Sequence, residues 1–285
     1  MSKSCGCGSV KQDKVRETVR AAYAQVAAGG GKCCGGPARC GQESPDKLAK
    51  GVGYSAADLA ALPAGANMGL SCGNPTAIAS LKPGEIVLDL GSGGGMDAFV
   101  AGPKLGETGR VIGVDMTAEM IAKARRNAES YRRRSGLDNV EFRLGEIEHL
   151  PVADASVDVV ISNCVLNLSP DQPQVWREIA RVLKPGGRVA VSDLALLKPL
   201  PDRVVTMVEA LIGCVAGAAL VADPQRWVRA AGLVDIVLEP KPDYVRAVTS
   251  FEDPLYQAIV EHLPSGASPA DYITSLNVSA RKPSR

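Results

Sequence analysis

Val87-Leu88-Asp89-Leu90-Gly91-Ser92-Gly93-Gly94-Gly95 is the stretch on which the fold turns. An apolar run with a single acid ends abruptly in glycines, which is how a fully buried strand passing through a tight turn into a helix is written. Upstream, Asn74-Pro75 places a capping side chain before a proline at the first helical position, and Lys82-Pro83-Gly84 turns the chain into a strand over 85–90. Downstream, helices are expected over 96–105, 118–134 and 173–183, and strands over 110–115, 140–144, 157–163 and 188–192, the last after the turn Lys184-Pro185-Gly186-Gly187. Strands rich in Val and Ile that alternate with helices predict an α/β fold, a doubly wound and mostly parallel sheet covered on both faces.

The rhythm changes on either side of this block. From Pro201 a long apolar helix is expected over 202–220, then a short helix over 225–231 and strands over 233–238 and 273–280. Before it come a helix over 10–28, a glycine-rich loop over 29–41, and a short helix over 55–62 that Ser55 caps and Pro63 ends. The expected organisation is a flexible Cys/Gly-rich region over 1–50, a nucleoside-binding domain over 51–200 and a smaller C-terminal substrate-binding segment over 201–285.

Composition narrows the function. The 285 residues carry a formal net charge of +1, so no general field draws nucleic acid or an anionic membrane, and neither is expected as a partner. The charge-free apolar stretch 210–222 falls short of the roughly 20 residues that span a bilayer. Two histidines leave little scope for His-based metal sites, whereas the eight cysteines, at 5, 7, 33, 34, 40, 72, 164 and 214, call for an explanation. The first eight residues hold no apolar segment of the secretory kind, which points to the cytoplasm; reducing conditions there argue against a disulfide framework and for chemistry with soft partners.

The glycine turn suits a nucleoside. Its backbone can approach a ligand closely, and Asp115, ending the next strand, can accept both ribose hydroxyls. A dinucleotide pattern needs glycine where this chain has Met96, so a ligand without phosphates is favoured. The competing reading makes the glycines a mere connection and Asp115 a helix cap. Taken with Asp115-Met116, Gly145-Glu146-Ile147 and Leu183-Lys184-Pro185-Gly186-Gly187-Arg188, the turn resembles that of class I S-adenosylmethionine-dependent methyltransferases, over roughly residues 75–195. That resemblance implies a Rossmann-like fold in which Gly91, Ser92, Gly93 and Gly95 line the methionine part, Asp115 holds the ribose, Met116 packs on the adenine, and Glu146 and Ile147 lie at its edge. Asp89 and Asn163 are assigned to the same cofactor site. Glu146 could equally be an ordinary solvated acid.

In a doubly wound sheet the ligand lies outside the carboxyl ends of the strands, where the order reverses. Asn163 and Cys164 end the fourth strand there. Cys214 falls in the expected 202–220 helix among small neighbours, and Cys72 in a turn before the first strand. Each alone could be a buried thiol. Together, Gly53-Tyr54-Ser55, the 67–75 segment, Ser162-Asn163-Cys164-Val165-Leu166-Asn167-Leu168 and Cys214 fifty positions after Cys164 resemble the arsenite S-adenosylmethionine methyltransferases. This implies Cys164 and Cys214 as ligands of trivalent arsenic and Cys72 as a third thiolate or a redox partner. A fourth cysteine comes from Cys33, Cys34 or Cys40, with Cys40 the choice. The substrate implied is arsenite or its thiol conjugates, with a thiol reductant of the thioredoxin or glutathione kind as co-substrate.

Arsenic held by three sulfurs keeps a lone pair, so its methylation needs no general base, which suits a chain poor in histidine. Two other readings remain: a methyltransferase for a small organic acceptor, and a soft-metal-binding protein whose cysteine-rich N-terminus, with Cys5 and Cys7, does the binding.

Overall fold

β1 (Ile86–Leu90) is an interior strand of a seven-stranded sheet in the computed structural model, which describes residues 7–29, 45–245 and 254–284. With β2 (Arg110–Asp115), β3 (Val140–Leu144), β4 (Val157–Asn163), β5 (Leu183–Leu196), β6 (Val234–Lys241) and β7 (Ile273–Arg281), the order is β3-β2-β1-β4-β5-β7-β6. The first five strands pair in parallel, and β7 runs antiparallel between β5 and β6. The order reverses between β1 and β4, where Leu90 lies opposite Ser162 on one side and Val114 on the other. The C-terminal segment thus completes the sheet that the earlier strands begin.

The helices, in chain order, include α1 (Cys7–Ala27), α2 (Pro45–Gly51), α3 (Ala56–Ala61), α4 (Pro75–Ala79), α5 (Met96–Leu105), α6 (Ala118–Ser135), α7 (Gln172–Val182), α8 (Asp202–Val205), α9 (Val208–Ile212), α10 (Asp223–Ala230) and α11 (Pro254–Val260). Side chains alternate across a strand, so β1 feeds two cores. Val87 packs with Phe99 of α5, Tyr131 of α6 and Phe142 of β3, whose rings pair at 5.2 and 5.7 Å from Phe99. Leu88 and Leu90 pack with Trp176 and Ile179 of α7 on the other face. A third cluster joins Val19 of α1 to Cys72, Leu168 and Cys214 at the carboxyl end of the sheet.

Two expectations are corrected. Residues 202–220 form no single helix: α9 stops at Gly213, Cys214 takes a left-handed φ of +62°, and Leu220 bridges to Leu196 of β5. The cause is Gly217, which lies on the Asn167 carbonyl so closely that any Cβ would overlap it, and a continuing helix could not bring it there. β5 also begins at Leu183, ahead of the expected turn, and extends to Leu196 because β7 pairs with it from Arg188 to Leu196. Among the described residues, no helix is long and apolar enough to cross a membrane.

Candidate active site

The glycine turn works by letting another loop sit on it. Gly91 has a φ of +63°, and a Cβ there would run into the side chain of Val165, so the segment after β4 lies directly against the end of β1. The Asp115 carboxylate accepts the N–H of Gly93 at 3.0 Å and that of Thr117 at 2.8 Å. It therefore braces the turn and holds Thr117, the residue that opens α6, while also facing the cavity that Gly91, Gly93, Met116, Ile147 and Cys164 line. Burial raises its pKa against the pull of those two N–H groups.

An adjoining compartment takes in Asp89, Ser92, Gly94, Asp97 and Asn163. Asp89 is 2% exposed, and its Oδ2, like the Oγ of Ser92, is buried without a hydrogen-bond partner. An orphaned carboxylate oxygen and a hydroxyl beside bare glycine backbone fit the amino-acid end of a cationic nucleoside. Burial, then the nearby Asp97 and Asp115 charges, push the Asp89 carboxyl well above the usual carboxylate range.

Asp97 and Tyr54 were not read from sequence. The Tyr54 hydroxyl donates to Asp97 at 2.5 Å, and the Asn163 amide donates to Asp97 at 3.1 Å, to Tyr54 at 3.0 Å and to the Gly73 carbonyl at 3.0 Å. Burial raises the Asp97 pKa, and the bonds from Tyr54 and Asn163 oppose the rise. The Gly-Tyr-Ser signature holds Tyr54, but nothing in its spacing marks the contact with the start of α5.

Two assigned residues stand apart from the cavity. Gly95 opens α5 with its Cα tucked against the Phe99 and Phe142 rings, so its bareness serves packing. Glu146 lines a neighbouring cavity with Met116 and Arg20 and pairs with Arg20 at 3.1 Å and Arg16 at 3.6 Å, both from α1, while Glu148 lines the main cavity. Arg16, Val19 and Tyr23 line the cavity too, so α1 lies over its mouth, a placement that its amphipathic pattern alone could not disclose.

Cys72 and Cys164 meet through their sulfurs, and Cys214 lies against the backbone of Cys164. Cys164 follows β4 with a φ of +57°, its N–H donating to the Ser192 carbonyl at 2.8 Å. Cys164, expected as a thiolate, and Cys72, expected as a third thiolate or a redox partner, are joined as a disulfide with Cα atoms 5.9 Å apart, so the thiol set exists only in the reduced chain. Cys72 is held from its own side, its N–H donating to the Asn163 side chain at 3.1 Å. Cys214 is a free thiol, 3% exposed, whose Sγ donates to the Cys164 carbonyl at 3.0 Å. Burial, and next the charge of Asp193, hold this thiol well above its ordinary pKa. Asp193, also missed in the sequence, has a carboxylate oxygen within 4.8 Å of the Cys72 and Cys164 sulfurs. Burial pushes its pKa up to about 7 against several backbone N–H donors. Cys5, Cys33, Cys34 and Cys40 lie outside the described residues.

A family model for a methyltransferase domain matches residues 81–232. An arsenite methyltransferase of Halobacterium salinarum is 43% identical over 281 residues, covering 96% of this chain and 68% of the relative. The chain belongs to the arsenite methyltransferase family. A second family member, from Aquipseudomonas alcaligenes, is 44% identical over 160 residues, 55% of this chain and 46% of its own length. The crystal structure of an arsenic(III) S-adenosylmethionine methyltransferase from Chlamydomonas reinhardtii superposes with a TM-score of 0.56 at 30% identity, covering 93% of this chain and 73% of that one. Membership in the arsenite methyltransferases makes the chain an enzyme of methyl transfer and displaces the readings as an organic-acceptor methyltransferase or a soft-metal-binding protein.

Proposed function

We propose that the reduced chain holds trivalent arsenic, as arsenite or its thiol conjugates, on Cys72, Cys164 and Cys214 and methylates it with S-adenosylmethionine as donor. The observation that carries this reading is the meeting of three cysteines from distant parts of the chain: one bridged pair, with the third sulfur 3.0 Å from the Cys164 carbonyl, beside a glycine-lined cavity. Gly91, Gly93 and Ser92 would lie along the methionine part of the donor, Asp89 would meet its ammonium, Asp115 its ribose, and Met116 and Ile147 its adenine. When bound, the donor supplies an electrophilic methyl and leaves as a neutral thioether.

The protein's own work is placement. Three thiolates bind a soft centre in a pyramid and leave its lone pair free. The turn after β4 sets that lone pair beside the donor cavity, and such positioning can supply about 7–11 kcal/mol at best. No side chain has to take a proton from arsenic. Methylation formally oxidises arsenic to the pentavalent state, and two thiols closing to a disulfide return its two electrons. A thioredoxin- or glutathione-type reductant then reopens the disulfide, with Cys40 as a fourth cysteine in that exchange. Residues 51–200 on this reading serve the donor and 201–285 the arsenic, with 1–50 contributing the redox thiols, and a reducing cytoplasm suits the cycle.

The test is transfer of labelled methyl from S-adenosylmethionine to arsenite by the wild type and by Cys72→Ser, Cys164→Ser and Cys214→Ser. Loss in the Cys164 and Cys214 variants is expected. Full transfer by either would overturn the assignment.

A further inference from the structure

We propose that Asn167 and Asp193 are positioning residues that fix the separation of Cys164 and Cys214. The inference rests on the reading of those two cysteines as arsenic ligands. Five described residues other than glycine have a positive φ, and two of them are Cys164 and Cys214. A side chain adopts that conformation only where its surroundings impose it. The same buried pair imposes it on both turns.

From the Cys164 side, the Asp193 carboxylate accepts the N–H of Val165 at 3.0 Å and of Asn167 at 3.4 Å, which folds the chain back just beyond the cysteine. It also accepts the Leu194 N–H at 2.9 Å, anchoring that fold to β5. From the Cys214 side, the Asn167 amide nitrogen reaches the Cys214 carbonyl at 3.0 Å while contacting Asp193 at 2.9 Å and the Leu194 carbonyl at 2.7 Å. Gly217 presses its bare Cα on the Asn167 carbonyl, and the Gln172 side chain donates to the Gly217 carbonyl at 2.8 Å. One amide therefore joins two segments that are otherwise far apart in sequence. Leucine has the same branched side-chain skeleton as Asn167 but no amide, so it could not hold the Cys214 turn.

The experiment compares Asn167→Leu, Gly217→Ala, Gln172→Ala and Cys214→Ser with wild type, all reduced with a phosphine. Arsenite affinity and S-adenosylmethionine affinity are measured by calorimetry, and alkylation of Cys214 by iodoacetamide is followed by mass spectrometry. Asn167→Leu removes the bond, and Gly217→Ala forces the same joint open from the opposite side. Both are expected to weaken arsenite binding about tenfold or more with donor affinity within about twofold. Cys214 alkylation should quicken in parallel. Gln172→Ala, a milder change at the rim, should shift both readouts in the same direction by about threefold. A merely structural role would lower the melting temperature and both affinities together, and that result would overturn the inference. So would wild-type arsenite affinity in Asn167→Leu, Gly217→Ala and Gln172→Ala while Cys214→Ser binds weakly. If Cys214→Ser itself bound arsenite as wild type does, the ligand assignment would fall and take the inference with it.

Discussion

Asp115 answers two demands with one carboxylate. Its bonds to Gly93 and Thr117 N–H groups are local, and they would exist in any strand-to-helix turn of this kind. Its place on the cavity wall is what would offer it to the donor's ribose on the proposed reading. Asp115→Asn keeps the shape and one acceptor oxygen but loses the charge that favours paired hydroxyls, so donor affinity is expected to fall roughly tenfold to a hundredfold. Asp115→Ala should fall further and also lose about 1–3 kcal/mol of stability, because two N–H groups lose their acceptor. Calorimetry giving unchanged donor affinity in both variants would reject the ribose role. At the cysteines the backbone tells a similar story: a left-handed φ at a non-glycine residue costs of order 1–3 kcal/mol, and Cys164 and Cys214 each bear it. Neither strain nor the Cys72–Cys164 bridge, spanning 92 residues, can be read from spacing, since both depend on what the rest of the chain brings alongside.

Among the elements, the strands were the most legible. Runs at 110–115 and 157–163 coincide with β2 and β4, because a strand buried on both faces reads as near-continuously apolar; β3, at the sheet edge, is instead marked by alternation, with Val140, Phe142 and Leu144 separated by Glu141 and Arg143. The small-residue stretch after Ile212 misled for a physical reason: alanine and glycine there follow close backbone approach to Asn167 instead of helix propensity. The docking of α1 was also invisible, since an amphipathic face records that a helix packs and not upon what. Its docking makes a prediction. Arg16 and Arg20 strap α1 to Glu146 and Glu148, with the Arg16–Glu148 contact at 3.4 Å and the Arg20–Glu146 contact at 3.1 Å. The partly exposed Arg20–Glu146 pair contributes about 0.2–1 kcal/mol, whereas Arg16 and Glu148 are largely buried, so removing Arg16 costs more by leaving the Glu148 charge without this cation. Replacing both arginines by alanine should therefore speed donor release by roughly tenfold or more in stopped-flow displacement and raise amide exchange over residues 12–27. Release at the wild-type rate would mean that α1 does not close the cavity.

At the scale of the whole molecule, a net charge of +1 leaves attraction of a cationic donor to local groups, and these are concentrated at one end of the sheet. Asp89, Asp97 and Asp115 all have raised pKa values, each chiefly through burial. A carboxyl whose folded pKa is raised contributes stability below its unfolded pKa and loses it as pH rises through the folded value. The donor-free protein is thus destabilised by these groups as they ionise. A bound cation reverses the balance, because it favours the ionised carboxylates and draws their pKa values down. Donor binding must then release protons, and its affinity must rise as pH increases from the ordinary carboxylate range through the raised pKa values of these groups. Calorimetry in two buffers of different ionisation enthalpy should give apparent binding enthalpies that differ in the sense of proton release, and the donor's thermal stabilisation should be larger at mildly alkaline than at mildly acidic pH. Because the groups are buried, added salt across the physiological range should change the affinity by no more than about twofold. Proton uptake on binding, or a steep salt dependence, would mean that the donor's charge is met by exposed side chains elsewhere and that the orphaned Asp89 oxygen has another purpose.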